Sequence, residues 1–338
     1  MARGVTFCIA GLGSLGFYLL GLPLPFLLGP MFACLIAALA GLDLKGAGQF
    51  GIFMRTFLGV AVGASITPEL LGRMPEIASS LLFVPLFICT IAALGFPLLR
   101  YGFGLDPVTA WYSAMPGGLQ DMLIFGEEAG GDPRALSLIH ATRVVVLVSC
   151  APFLMQSIWS LDLSGAPGNP MVDIEASQIV IMVVAGLVGW KFFEHIGLFG
   201  ASILGPIILT TILSLTGIIH TRPPAEIIQA AQFFIGIAVG VKYVRITQRE
   251  VRENVVAGLV YSILLGLVSA SFFALIVWLG LAPSLDALLA FLPGGQAEMV
   301  VIAIIAGADL AYVVSHHVLR IVLVVLFSPL VERLFHKR

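Results

Sequence analysis

Apolar residues gather into ten stretches of about the length a transmembrane helix needs, roughly 17 to 25 residues. They fall near residues 4–21, 24–42, 50–67, 76–99 and 134–158, and again near 178–193, 199–218, 228–243, 255–280 and 310–330. Between the fourth and fifth stretch of each group lies a further segment, 107–128 and 284–306, interrupted by Pro-Gly-Gly. Proline removes a helical amide and glycine weakens the ladder, so neither segment is expected to form one unbroken helix.

The interruptions are duplicated. Pro116-Gly117-Gly118-Leu119-Gln120-Asp121-Met122 returns as Pro293-Gly294-Gly295-Gln296-Ala297-Glu298-Met299, a shift of 177 positions. The same shift carries Asp132 to Asp309, His140 to His317, Arg143 to Arg320 and Pro152 to Pro329, and it carries Gly59–Gly63 onto Gly236–Gly240. A shift of 176 carries Leu28-Gly29-Pro30 onto Leu204-Gly205-Pro206. Such self-similarity marks a tandem duplication. The expected organisation is a first transmembrane repeat over 1–158, an extracytoplasmic linker over 159–177 and a second transmembrane repeat over 178–338.

Basic residues orient the repeats. Lys242, Arg245, Arg249 and Arg252 form one basic loop and Arg333, Lys337 and Arg338 a basic end, both expected in the cytoplasm. One span, 255–280, leads out from that loop and one, 310–330, returns, so the interrupted segment must enter and leave on one side. In the first half Arg3, Lys45, Arg100 and Arg134 are the cytoplasmic set, while the linker carries Asp162, Asp173 and Glu175 without Lys or Arg. Arg73 and Arg222, on expected outer loops, depart from this pattern. Five crossings per half make the repeats antiparallel. The expected fold is an all-α polytopic membrane protein of two inverted repeats, each with about five transmembrane helices and one re-entrant hairpin, with both termini cytoplasmic.

Composition agrees. Apolar residues make up 59% of the chain and charged ones 11%, with mean hydropathy +1.07, well beyond a soluble domain. A formal net charge of −2 gives no sign of a nucleic-acid partner. Cys8, Cys34, Cys89 and Cys150 lie in apolar runs without CxxC spacing, which suggests neither a zinc site nor a disulfide framework. The N-terminal apolar run resembles a signal peptide, but its duplicate near Ile179–Trp190 marks it as a retained first helix.

Asp121 and Glu298 stand at the third position of the helix returning from each break, where a carboxylate stabilises the helix start and is also placed to bind a proton or cation. Asp132 and Asp309 have the positions of N-caps. Arg143 and Arg320 lie about ten residues into their helices, roughly 15 Å deep, where an arginine costs at least about 2.5–3.5 kcal/mol without compensation. They either bridge to Asp121 or Glu298 or bind an anion. His140 and His317, three residues earlier on the same face, suit proton coupling or a structural hydrogen bond. His316 has no duplicate, since Ile139 stands at its mate. The paired glycines suit close helix packing, and the Leu-Gly-Pro segments are expected to kink or break their helices.

The doubled Pro-Gly-Gly-x-x-Asp/Glu-Met, the His-x-x-Arg after it and the Leu-Gly-Pro segments resemble the membrane AbrB family, the AbrB-duplication proteins, over nearly the whole chain. Members carry names of a regulator or of an ammonia monooxygenase, and the family is unrelated to the small soluble DNA-binding AbrB proteins of sporulating bacteria. The resemblance implies an integral protein of the bacterial inner membrane. A monooxygenase would need a metal or flavin site, and the sequence holds no ligand cluster or Gly-rich dinucleotide turn for one. A DNA-binding regulator would need a soluble reader domain, and the apolar runs leave no room for it.

The sequence therefore points to a secondary transporter rather than an enzyme, without cofactor or metal. Its expected substrate is a small anionic solute of carboxylate type, bound at midplane by Arg143, Arg320 and the hairpin amides at Gly117, Gly118, Gly294 and Gly295. Asp121, His140, Glu298 and His317 are the expected proton or sodium carriers. The expected partners are that solute, the lipid bilayer and, as for many hairpin carriers, a second copy in a homodimer. The alternative is a membrane regulator or sensor that moves nothing and affects gene expression indirectly.

Overall fold

A computed structural model describes residues 2–68, 74–164, 168–198 and 200–332. Arg73, Arg333, Lys337 and Arg338 of the charge pattern lie outside them. The described residues form helices and turns, with no strand among them. In chain order the helices are α1 (Ala2–Leu19), α2 (Pro25–Leu39), α3 (Gln49–Gly63), α4 (Met74–Leu81), α5 (Phe83–Pro97), α6 (Pro107–Ala114), α7 (Leu119–Glu128) and α8 (Pro133–Trp159). Then follow α9 (Ala176–His195), α10 (Ala201–Leu215), α11 (Ala225–Gly240), α12 (Val256–Trp278), α13 (Ser284–Phe291), α14 (Gln296–Ala306) and α15 (Leu310–Glu332). A π turn extends α5, a 3-10 turn over Val241–Tyr243 extends α11, and a π turn leads into α12.

A helix or helix pair stands at each of the ten apolar stretches. Seven are long and apolar enough to cross a bilayer: Ala2–Leu19, Ile77–Gly102, Pro133–Trp159, Ala176–His195, Ala225–Tyr243, Gln248–Trp278 and Leu310–Glu332. The other three, α2, α3 and α10, have 15 residues each, about 22 Å at 1.5 Å per residue. Large apolar side chains such as Leu12, Leu19, Leu82, Ile263 and Leu267 point outward, a surface for lipid rather than water. The chain is a multi-pass membrane protein by architecture.

The chain packs as two compact units, each drawing on both halves of the sequence. The first comprises α1–α3, the end of α8 from Ser149, α9–α11 and the segment Ala297–Ala311. Its packing is reciprocal. A Cβ on Gly59 of α3 would collide with the Ile203 carbonyl of α10, and one on Gly236 of α11 with the Leu27 carbonyl of α2. One turn on, Gly63 stands against Ile207 and Gly240 against Met31, each with its would-be Cβ 2.7 Å from the carbonyl oxygen. Gly13 of α1 meets Gly29 of α2 as Gly189 of α9 meets Gly205 of α10. Glycine is required there because the backbones approach too closely for any side chain.

Leu28-Gly29-Pro30 and Leu204-Gly205-Pro206 do not break their helices. Pro30 and Pro206 stay inside the continuous helices α2 and α10, where the adjacent glycines form the close contacts. The linker is tied to the same unit: Leu24 N–H donates to the Leu163 carbonyl at 3.0 Å and Ala225 N–H to that of Asn169 at 2.9 Å.

The second unit comprises α4–α7, most of α8, α12, α13 and α15. Phe87 of α5, Phe272 of α12 and Phe291 of α13 form an aromatic trio with ring centroids 5.1–5.8 Å apart, inside the favourable range for such pairs. The Trp111 indole of α6 donates to the Ser328 carbonyl of α15 at 3.0 Å.

Replacing Gly59 or Gly236 by valine is expected to lower stability by about 1–3 kcal/mol through overpacking. Gly11→Ala, where a Cβ meets nothing within 4 Å, leaves stability unchanged or slightly raised. Thermal unfolding of the purified protein in detergent checks both, and equal melting of Gly236→Val and the parent would contradict the packing described.

Candidate functional site at the two Pro-Gly-Gly breaks

Each interrupted segment folds as two short helices around four non-helical residues. In the first, α6 ends at Ala114, Met115 is extended (φ −73°, ψ 129°), and α7 starts after Gly118 (φ −65°, ψ 138°). In the second, α13 ends at Phe291, Leu292 is extended (φ −85°, ψ 114°), and α14 starts at Gln296. The residue before a proline is pushed from helical to extended backbone, so Pro116 and Pro293 set the break one residue ahead of themselves. None of the four glycines of the two Pro-Gly-Gly motifs has a positive φ. Gly117 makes room for Met122, whose side-chain atoms would lie 2.9 Å from a Cβ, and Gly118 for the Asp121 carboxylate.

Ending a helix leaves its last carbonyls without amide partners, and in a buried interior such groups need other donors. The duplicated histidines and arginines supply the donors. Arg143 donates from Nη1 to the Met115 carbonyl at 3.3 Å and from Nη2 to that of Gly117 at 3.2 Å. Arg320 donates from Nη2 to Gly294, the repeat mate of Gly117, at 3.5 Å. His140 Nε2 donates to Tyr112 at 3.0 Å and His317 Nε2 to Leu289, the mate of Tyr112, at 2.9 Å. A carbonyl only accepts, so Nε2 carries the proton in both rings. His317 Nδ1 faces Arg320 Nη2 at 3.5 Å. The cations also sit at the negative ends of α6 and α13, a favourable placement.

Sequence reasoning offered the arginines a carboxylate or an anion as partner. The hydrogen bonds above go to backbone carbonyls of the breaks, a third kind of partner that side-chain patterns do not display. Asp121 folds back over Gly118 at the third position of α7. Glu298 holds the third position of α14, is buried, and belongs to the first compact unit, whereas Asp121, His140, Arg143, His317 and Arg320 belong to the second. Asp132 caps α8, its Oδ1 accepting from Arg134 N–H at 2.8 Å and Ala135 N–H at 3.2 Å, and Asp309 accepts from Ala311 N–H at 3.1 Å. His316 Nε2 meets Ser80 Oγ at 3.0 Å, and its Nδ1 donates to the Tyr312 carbonyl at 2.8 Å.

Arg143 and Arg320, 1% and 2% exposed, lie within electrostatic reach of one another, and the phenol of Tyr261 feels both. Arg320 Nε and Nη1 are buried and have no hydrogen-bond partner among the described residues. Two guanidinium groups within electrostatic reach of one another in a low-dielectric interior, with spare donors on Arg320, are chemically suited to negative charge. Among the described residues no group of three or more His, Cys, Asp or Glu side chains could hold a metal ion.

Tyr261 went unsuspected in the sequence. It is fully buried in α12 and its hydroxyl donates to the Ala114 carbonyl at the end of α6. Gly95 of α5 leaves room for its ring, a Cβ there lying 2.8 Å from Cε2. Its repeat mate is Val84, so duplication did not single it out, and a tyrosine in an apolar helix looks like core.

Comparison with known proteins adds a lineage. A family model described as transition state regulatory protein AbrB matches residues 26–336. YhjN of Bacillus subtilis (strain 168) is 25% identical over 356 residues, covering 97% of this chain and 91% of that protein. A protein of Escherichia coli (strain K12) named "Putative regulator AbrB" is 25% identical over 339 residues, covering 98% of this chain and 95% of its own.

If the arginine clamp holds the first break, Arg143→Met should destabilise the protein by about 1.5–3 kcal/mol, the range for hydrogen bonds to a charged group. Tyr261→Phe, which removes one neutral donor, should cost about 1 kcal/mol. Chemical or thermal unfolding in detergent measures both, and a stability for Arg143→Met equal to that of the parent would contradict the clamp.

Proposed function

The chain belongs to the AbrB family, and from that premise and the arginine-clamped breaks we propose that it is a secondary transporter of a small, carboxylate-type anion. The observation that carries the reading is the pair of buried arginines, one from each sequence repeat, within reach of one another, with Arg320 Nε and Nη1 unsatisfied among the described residues. A membrane interior tolerates such charge where it serves a pathway or a ligand. Broken helices at membrane depth are the usual binding elements of transporters.

In this reading each helix-break-helix segment is a re-entrant hairpin and the two repeats are inverted. The alternation of basic and acidic loops and the reciprocal packing of α3 on α10 and α11 on α2 support that arrangement. The protein sits in the bacterial inner membrane with both termini cytoplasmic. Arg143, Arg320 and the backbone at Gly117, Gly118, Gly294 and Gly295 bind the solute. Asp121 and Glu298, at the starts of the returning helices, carry the coupling proton or sodium ion. His140 and His317 complete the coupling set, and their hydrogen bonds to Tyr112 and Leu289 also hold the breaks in place. No covalent chemistry and no cofactor enter this activity, and two copies assemble as a homodimer.

The second reading, favoured by the name of the Escherichia coli relative, is a membrane regulator that moves no solute and alters gene expression through a partner. It predicts regulation that survives neutralisation of the arginine pair.

Melting of the purified protein against a panel of small carboxylates, amino acids, ammonium and sodium separates the two. A carboxylate at about 100 times its Kd should stabilise the folded state by about 2.7 kcal/mol, and the shift should vanish in the folded Arg143→Gln/Arg320→Gln variant. An unchanged shift in that variant would overturn the site assignment.

A further inference from the structure

Arg55 and Lys242 form a second cationic feature, confined to the first compact unit. Arg55 lies in α3 and Lys242 in the 3-10 turn that extends α11. The two helices pack on each other, with the rings of Phe50 and Phe234 edge-to-face at 5.0 Å. Both basic side chains are half-buried, and Lys242 lies within electrostatic reach of Arg55. Arg55 Nε is buried with no hydrogen-bond partner, and among the described residues neither cation forms an ion pair with a carboxylate. Asp43, a carboxylate of the same unit, is paired with Arg245 at 3.0 Å.

The repeat supplies an internal control. The 177-residue shift maps Arg55 onto Gln232 and Lys242 back onto Ser65, so both mates are uncharged although the surrounding glycine contacts are duplicated. Helix packing therefore does not call for the cations. The negative end of α11 accounts for one positive charge beside it. It does not account for a second, half-buried one with an unsatisfied donor.

We propose that Arg55 and Lys242 form a binding site for a phosphoryl anion, presented by the head group of an anionic phospholipid or as free phosphate. Arg55 stands about 9 Å from the start of α3, and long basic side chains extend their charged heads toward the membrane surface. Basic pockets between transmembrane helices on the cytoplasmic side are suited to anionic head groups, and Lys45 and Arg245 place this end with the cytoplasmic set. A guanidinium beside an ammonium matches a phosphate's several acceptor oxygens. This site is independent of the arginine pair at the helix breaks.

The test compares the parent with Arg55→Gln/Lys242→Ser, which installs the residues the protein already uses at the mate positions and so should fold. Melting is followed in phosphatidylcholine micelles, in micelles with part of the lipid replaced by phosphatidylglycerol, and with added inorganic phosphate. The parent should melt higher with phosphatidylglycerol, with phosphate or with both, and the double variant should lose that shift. A shift with phosphatidylglycerol alone identifies a lipid site, and one with phosphate identifies a soluble source. No shift with either anion, or an equal shift in parent and variant, overturns the proposal.

Discussion

A helix that stops in a buried interior must find donors for its last carbonyls, and the rest of this site follows from that requirement. Pro116 and Pro293 stop the helices. His140 and Arg143 meet the freed carbonyls of the first break, and His317 and Arg320 those of the second. The dependence runs both ways, because a buried guanidinium needs acceptors as much as a buried carbonyl needs a donor. Each carbonyl brings only a partial negative charge, so net positive charge remains after these hydrogen bonds form. That residual charge turns a structural clamp into a candidate anion site.

Duplication divides the molecule's features into two kinds. The glycine contacts, the breaks and the His-x-x-Arg clamps come in pairs, as packing and backbone satisfaction require in each half. Tyr261, His316, Arg55 and Lys242 come singly, opposite Val84, Ile139, Gln232 and Ser65. The shared architecture does not ask for these single residues, so they are where function specific to one copy is to be sought. Tyr261 is the plainest case: it binds the end of α6 and lies within reach of both arginines.

The helices and their breaks were legible in the sequence because hydropathy and proline act locally. The stretches near 76–99 and 134–158, for example, correspond to the helical runs Ile77–Gly102 and Pro133–Trp159. The caps at Asp132 and Asp309 were legible for the same reason. What the arginines touch was not, since a pattern of side chains says nothing of which backbone carbonyls a break exposes. Pro30 and Pro206 do not break α2 and α10, because a proline can be carried inside a helix, and the adjacent Gly29 and Gly205 serve close contacts. The two compact units also cut across the repeats, so that Glu298 and Asp121, alike in sequence, fall in different units. No local pattern encodes that interleaving.

In the proposed function the arginine pair binds an anion in order to move it. Flux of labelled small carboxylates into proteoliposomes, with unlabelled solute inside, tests it most directly. Saturable counterflow is expected from the parent protein, falling to the level of empty liposomes in Arg320→Gln. Folded parent protein that gives no counterflow with any carboxylate, or Arg320→Gln protein that exchanges as fast as the parent, would contradict it.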